Sequence, residues 1–165
     1  YILKNLNEKT SLICFDIPET LTLSAYFLSK SFPQKKTFLY GENELSQKNI
    51  KNYNLIFMPC WEVEKMEENS IDMMVNKNSL GEIEPDCARN YLNLIYKTSK
   101  YFFSMNHEFF RNKFKDGKLS LINEEYNQNG KFKELIRYPD LDHLTYLNNK
   151  IDLDMDVFFY LYEKK

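Results

Sequence analysis

Glycine is scarce in this sequence. The 165 residues hold four, Gly41, Gly81, Gly117 and Gly130, and no two of them form a GxG. A glycine-rich loop that would wrap backbone around a dinucleotide is therefore missing. Cysteine is sparse as well: Cys14, Cys60 and Cys87 are odd in number and show no CxxC spacing. That argues against a disulfide framework and a zinc site, and it points to a reducing, cytoplasmic setting. Charge of one sign is also lacking. The net charge is -2, with Lys and Glu spread along the chain, so the electrostatic footprint of a nucleic-acid binder is absent. No apolar stretch is long enough to cross a bilayer and no signal-peptide pattern occurs, so a soluble protein is expected.

What is present suits one packed core. The chain is 43% hydrophobic and 16% aromatic, unlike a disordered tail, and its length fits a single domain with one hydrophobic nucleus. It begins with Tyr1, and "YILKNLNEK" reads like the tail of a helix already under way; further residues are expected upstream.

The order of elements follows from periodicity. "SLICFD" (11 to 16) is a short apolar run, and after it Pro18 and Glu19 mark a helix start. Leu21, Ala25, Leu28 and Phe32 then recur at helical spacing. "KTFLY" (36 to 40) is a short strand or an extended connection. "YNLIFMPC" (53 to 60) and Ile71 to Val75, apolar but for Asn54 and Asp72, are runs of the kind buried on both faces of a sheet. Pro85 and Asp86 open a second helix, striped by Ala88, Tyr91, Leu92, Ile95 and Ser99, and "YFFSMN" (101 to 106) is a further strand. Strands alternating with amphipathic helices predict an α/β fold: a Rossmann-like, mostly parallel sheet flanked by helices. The segment from His107 to about Phe132 is polar and reads as excursion and hairpin. "DVFFYLYEKK" is β-prone and has no convincing helix before it, so it is expected to join the sheet antiparallel.

In such sheets ligands bind beyond the carboxyl ends of the strands. Asp16, Pro59 to Glu62, Asn76 to Glu82, and Asn106 with His107 all fall there. An acid in the position of Asp16 can accept hydrogen bonds from both hydroxyls of a ribose, although capping the helix that follows is equally good chemistry. Trp61 either packs on an adenine face or is buried in the core.

"DIPETLTLSAYFLSKSFP", "SIDMMVNKNSLGEI" and "YFFSMN" resemble, in order and spacing, strand regions of the sugar O-methyltransferase family within the class I S-adenosylmethionine-dependent methyltransferases. The match runs from about residue 11 to about residue 107, and "DMDVFFYLYEKK" resembles the last, antiparallel strand of that fold. The resemblance implies S-adenosyl-L-methionine as cofactor and methyl transfer to a hydroxyl of a sugar or saccharide. It implies cofactor contacts from Asp16, Cys60, Trp61 and Asn76. Ser79 and Asn106 would face the acceptor, with Glu82 and His107 as candidate bases and Glu82 placed first. The family's first strand and its glycine loop have no counterpart, so residues 1–165 are expected to form the C-terminal major part of the fold.

Sulfonium-to-hydroxyl transfer is an in-line displacement that depends on positioning, together with a base for the hydroxyl proton. A divalent metal that orients vicinal hydroxyls remains an open alternative. "DLDMD" (152 to 156) opens like a calcium loop but has Val157 where glycine is needed, and it reads as a strand entrance. "PDLDH" offers Asp142 and His143 for acceptor or metal. Two other readings stand beside the leading one: a nicotinamide-dependent oxidoreductase, and a degenerate methyltransferase-like domain that only binds or assembles. Homo-oligomerisation is left open.

Overall fold

A computed structural model describes residues 10–127, 130–141 and 156–165. The chain divides into two units, with the boundary between Glu67 and Glu68.

The first unit is a three-stranded parallel sheet with helices. Strands β1 (Leu12–Asp16), β2 (Thr37–Leu39) and β3 (Leu55–Pro59) lie in the order β1-β3-β2. All five residues of β3 are buried, as its unbroken apolar run requires of a central strand. Helix α1 (Pro18–Ser31) starts on Pro18, whose fixed φ and missing N–H suit the first turn. Its Leu21, Ala25, Leu28 and Phe32 positions pack with Leu55 and Phe57. A short helix α2 (Gln47–Ile50) is capped by the Ser46 side chain, which accepts from the Asn49 N–H; its single turn carries too little periodicity to be read from sequence. A 3₁₀ turn, Cys60–Lys65, follows β3.

The second unit holds a four-stranded mixed sheet in the order β4-β5-β7-β6, built from β4 (Ile71–Lys77), β5 (Ser99–His107), β6 (Phe132–Pro139) and β7 (Val157–Lys164). β4 and β5 run parallel, and helix α3 (Pro85–Thr98) is the crossover between them. β7 enters antiparallel to β5, as its sequence predicts, and β6 adds antiparallel to β7. The expectation of full burial for Ile71 to Val75 does not hold. Met73 and Val75 are 48% and 59% exposed, because they alternate with Met74, which packs against the core under α3, and so lie on the opposite face of the strand. β6 escaped the sequence reading because six of its eight residues are exposed, which leaves no alternation to detect.

The core of this unit joins α3 to the sheet through Ala88, Leu92, Ile95, Phe102, Phe132, Tyr160 and Tyr162. Phe102, with no exposed surface, stacks on Tyr162 at 5.8 Å. Beyond this core, the buried Glu108 accepts hydrogen bonds from Arg137 of β6 and from the Tyr160 hydroxyl. Burial, and then this bond to Glu108, push the Tyr160 hydroxyl pKa up to about 12. Replacing Phe102 with Ala is expected to lower stability by about 3 to 5 kcal/mol, the cost of emptying a packed aromatic site, measured as the shift in urea-unfolding free energy.

Candidate functional site

The polar loop after β4 is held by one buried amide. Asn106, near the end of β5, is 1% exposed. Its Oδ1 accepts from the Ser79 N–H at 3.1 Å, and its Nδ2 donates to Asn76 Oδ1 at 3.0 Å and to Ser104 Oγ at 2.9 Å. Asn76 in turn accepts from the Leu80 N–H and donates to the Ser79 hydroxyl at 2.6 Å. Ser104 donates to Asn123, whose amide donates back to the Asn106 carbonyl at 2.7 Å. The hydrogen-bonding side chains crowded after Val75 therefore satisfy one another and fix the turn. Asn78 occupies a left-handed conformation there, φ 47°, which asparagine tolerates better than most residues. The parallel register sets Asn76 beside Ser104, so the carboxyl ends of β4 and β5 open on the same side.

At that end His107 lies between two acids. Its Nδ1 is 2.8 Å from Asp156 Oδ1, and its Nε2 is 3.9 Å from Glu82 Oε1. Asp156 Oδ2 accepts from the Phe109 N–H at 3.2 Å and also from the Phe110 N–H. Burial works to raise the Asp156 pKa, but the bonds from His107, Phe110 and Phe109 outweigh it and hold the carboxyl below its ordinary value. An ionised carboxylate can only accept, so Nδ1 of the imidazole donates in the bond to Asp156, and Nε2 is the ring nitrogen on the Glu82 side. Glu82 is exposed and is held from the other side by Asn112, whose amide donates to Oε2 at 3.1 Å. The Gly81 backbone passes close to the ring: a Cβ there would lie 3.8 Å from His107 Cδ2.

The first unit carries the other predicted residues. Asp16 and Pro59 are register partners, so Asp16 and the Cys60–Trp61 turn share the carboxyl end of that sheet. One Asp16 oxygen accepts from the Ile17 N–H at 2.8 Å. α1 has no side-chain cap, so the capping alternative for Asp16 does not hold. Trp61 is 49% exposed, edge-on to Tyr40 at 6.5 Å, which removes core burial as its explanation. Cys60 is half-buried beside it. Burial, and then the nearby Asp16 charge, push the Cys14 thiol up to about 11. It is not a nucleophile near neutral pH.

The residue missed from sequence is Asp156, which lay inside the "DLDMD" stretch read as a strand entrance. Asp142 and His143 lie outside the described residues. Among the described residues no group of three or more His, Cys, Asp or Glu side chains gathers as a metal site. No described helix is long and apolar enough to cross a membrane.

No family model and no curated protein matches the sequence. Solved structures do match. A 1,6-didemethyltoxoflavin-N1-methyltransferase from Burkholderia thailandensis, with 1,6-didemethyltoxoflavin and S-adenosylhomocysteine bound, aligns with a TM-score of 0.53 and 13% identity over 94% of this chain and 72% of its own. A mitomycin 7-O-methyltransferase aligns over 99% of this chain with a TM-score of 0.49 and 10% identity. LepI in its complex with SAM aligns over 100% with a TM-score of 0.49 and 7% identity. The chain spans 52% of the mitomycin enzyme and 47% of LepI. The chain thus has the Rossmann-like α/β fold found in S-adenosylmethionine-dependent methyltransferases.

Because its folded pKa is depressed, Asp156 contributes stability above the ordinary carboxylate range, and that contribution disappears as pH falls through its lowered value. Asp156→Asn is expected to cost about 1 to 3 kcal/mol at pH 7 and to flatten the acid limb of the stability curve. Urea unfolding of both proteins at a series of pH values from neutral to below 4 measures this; parallel curves would mean that the carboxylate is not charged in the fold.

Proposed function

We propose that this chain belongs to an S-adenosylmethionine-dependent O-methyltransferase acting on a hydroxyl of a sugar or saccharide, with acceptor residues carried by its second unit and residues suited to the cofactor ribose carried by its first. The observation that carries the reading is the Asp156–His107–Glu82 arrangement at the carboxyl ends of β4 and β5. The methyltransferase fold supports it, and the toxoflavin and mitomycin neighbours leave the acceptor class to be argued from this chain's own residues.

The residues fit the cofactor in part. Asp16 has one oxygen free of hydrogen bonds from described residues and is suited to the ribose hydroxyls, and the exposed Trp61 ring is suited to adenine. No glycine pair among the four in the sequence offers a backbone cradle for the methionine part. When bound, S-adenosylmethionine supplies an electrophilic methyl on a sulfonium sulfur and departs as a neutral thioether.

His107 is the base in this reading and Glu82 its partner, which reverses the order expected from sequence. The reason is orientation: Asp156 fixes the imidazole tautomer, whereas Glu82 is exposed and tied to Asn112. The 3.9 Å between Nε2 and Glu82 Oε1 is too long for a hydrogen bond of their own, and a hydroxyl placed beside the pair reaches both. As the new oxygen–carbon bond forms, the hydroxyl proton passes to Nε2, and the imidazolium that results lies between two carboxylates. Asn76, Ser79 and Asn106 act here as the frame of the mouth; Asp142 and His143 stay candidates for acceptor contact. The single-domain organisation expected from sequence belongs to the same proposal, supported by one solved fold that covers 94% of the chain. The three free cysteines accord with a cytoplasmic setting.

A second reading, a domain that binds without transferring, is favoured by the missing glycine pair. Methyl transfer from labelled S-adenosylmethionine to saccharide acceptors separates the two. If transfer occurs, His107→Gln is expected to lower turnover on the order of a hundredfold and to remove its pH dependence, while Asp16→Asn weakens cofactor affinity by about 1 to 3 kcal/mol without altering the fold. Unchanged turnover in His107→Gln rules out the assigned base.

A further inference from the structure

Two phenyl rings beside His107 face solvent. Phe109 and Phe110 are 69% and 54% exposed. The Phe110 ring centroid lies 5.2 Å from that of the imidazole, tilted 56°, and Phe109 meets Phe158 edge-on at 6.5 Å. A single exposed aromatic ring needs no explanation. These two differ because both backbone N–H groups are bonded to Asp156 Oδ2, on the carboxylate whose other oxygen holds His107. One side chain thus holds the imidazole and the backbone that carries the two rings in a common frame.

The charges around the ring narrow what fits there. Glu82 and Asp156 flank the imidazole at 3.9 Å and 2.8 Å. Two cations of the following segment are already engaged: Arg111 with Glu125 at 2.7 Å, and Lys118 with Asp86 at 2.8 Å. A phosphate entering here would meet two like charges at short range. A neutral molecule would meet an aromatic face whose negative quadrupole attracts C–H groups and ring edges.

We infer that Phe110, flanked by Phe109, is the platform on which the acceptor lies, and that the acceptor is uncharged at its reacting end: a neutral glycoside or similar hydroxylated molecule with a C–H or aryl face, not a sugar phosphate. This rests on the acceptor-side reading of the mouth given above. Stacking on Phe110 leaves the hydroxyls at the rim of the acceptor free to point at Nε2 of His107, so the platform sets which hydroxyl is presented.

Saturation-transfer difference NMR on the chain without cofactor tests this, with p-nitrophenyl β-glucopyranoside and glucose 1-phosphate as probes. Saturation should reach the C–H and aryl protons of the glycoside. Its affinity should fall up to about tenfold in Phe110→Ala and hold within about twofold in Phe110→Tyr, as expected for one aromatic contact. Because Phe110 is exposed, both variants are expected to fold. Glucose 1-phosphate should bind more weakly than the glycoside and gain affinity in Glu82→Gln. Equal glycoside affinity in Phe110→Ala, no glycoside binding at all, or tighter binding of the phosphate overturns the inference. The readout needs no methyl transfer, so glycoside binding through Phe110 leaves the platform standing whether or not methyl transfer is found, and its loss in Phe110→Ala is read independently of the transferase assay.

Discussion

The candidate mouth depends on the side-chain amide of Asn106. It is buried, and its oxygen and nitrogen are both bonded to protein groups across the strand ends: to the Ser79 N–H, to Asn76 and to Ser104. An unsatisfied buried amide is costly. Only an arrangement that supplies all of these partners together is therefore stable, and supplying them brings the ends of β4 and β5 together and pins the loop that carries Glu82. The network reaches Asn123 through Ser104, so part of the irregular segment after β5 is held by the same constraint.

On this frame sits a second, charged constraint. Asp156 spends one oxygen on His107 and the other on two backbone N–H groups. The first bond selects a tautomer, and the others shape the chain where it leaves β5. Orientation of the imidazole and the path of the adjacent loop are thus two consequences of one carboxylate. Glu82 closes the opposite side without a direct hydrogen bond to the ring, which leaves space for a third group between them.

Much of the fold was legible in the sequence because its signals are local. The unbroken apolar run of β3, the helical spacing of Leu21, Ala25, Leu28 and Phe32, and Pro85 at the start of α3 depend on neighbours a few residues away. β6 was not legible, since its exposed residues carry no pattern of burial. Nor was the exposure of β4, since an apolar run records what a strand prefers and not whether both of its faces are covered. Of the candidate site, the clustering of Asn76, Ser79, Glu82, Asn106 and His107 followed from the rule that parallel strands open at their carboxyl ends. The division of labour among them did not. Asn106 and Asn76 face each other inside the protein, and that depends on register.

Sequence alone determined the order of β1, α1, β3, β4, α3, β5 and β7, the α/β class, the antiparallel return of β7 and the edge of each unit's sheet at which polar residues gather. These follow from chain-local periodicity and from the one-way direction of a parallel crossover. Tertiary structure alone decided that Asp156 meets His107. The two are 49 residues apart, and the antiparallel register that sets His107 opposite Val157 is what delivers the preceding acid to the imidazole. A register is fixed by the packing of both strands' faces at once, so no spacing within "DLDMD" could have announced it.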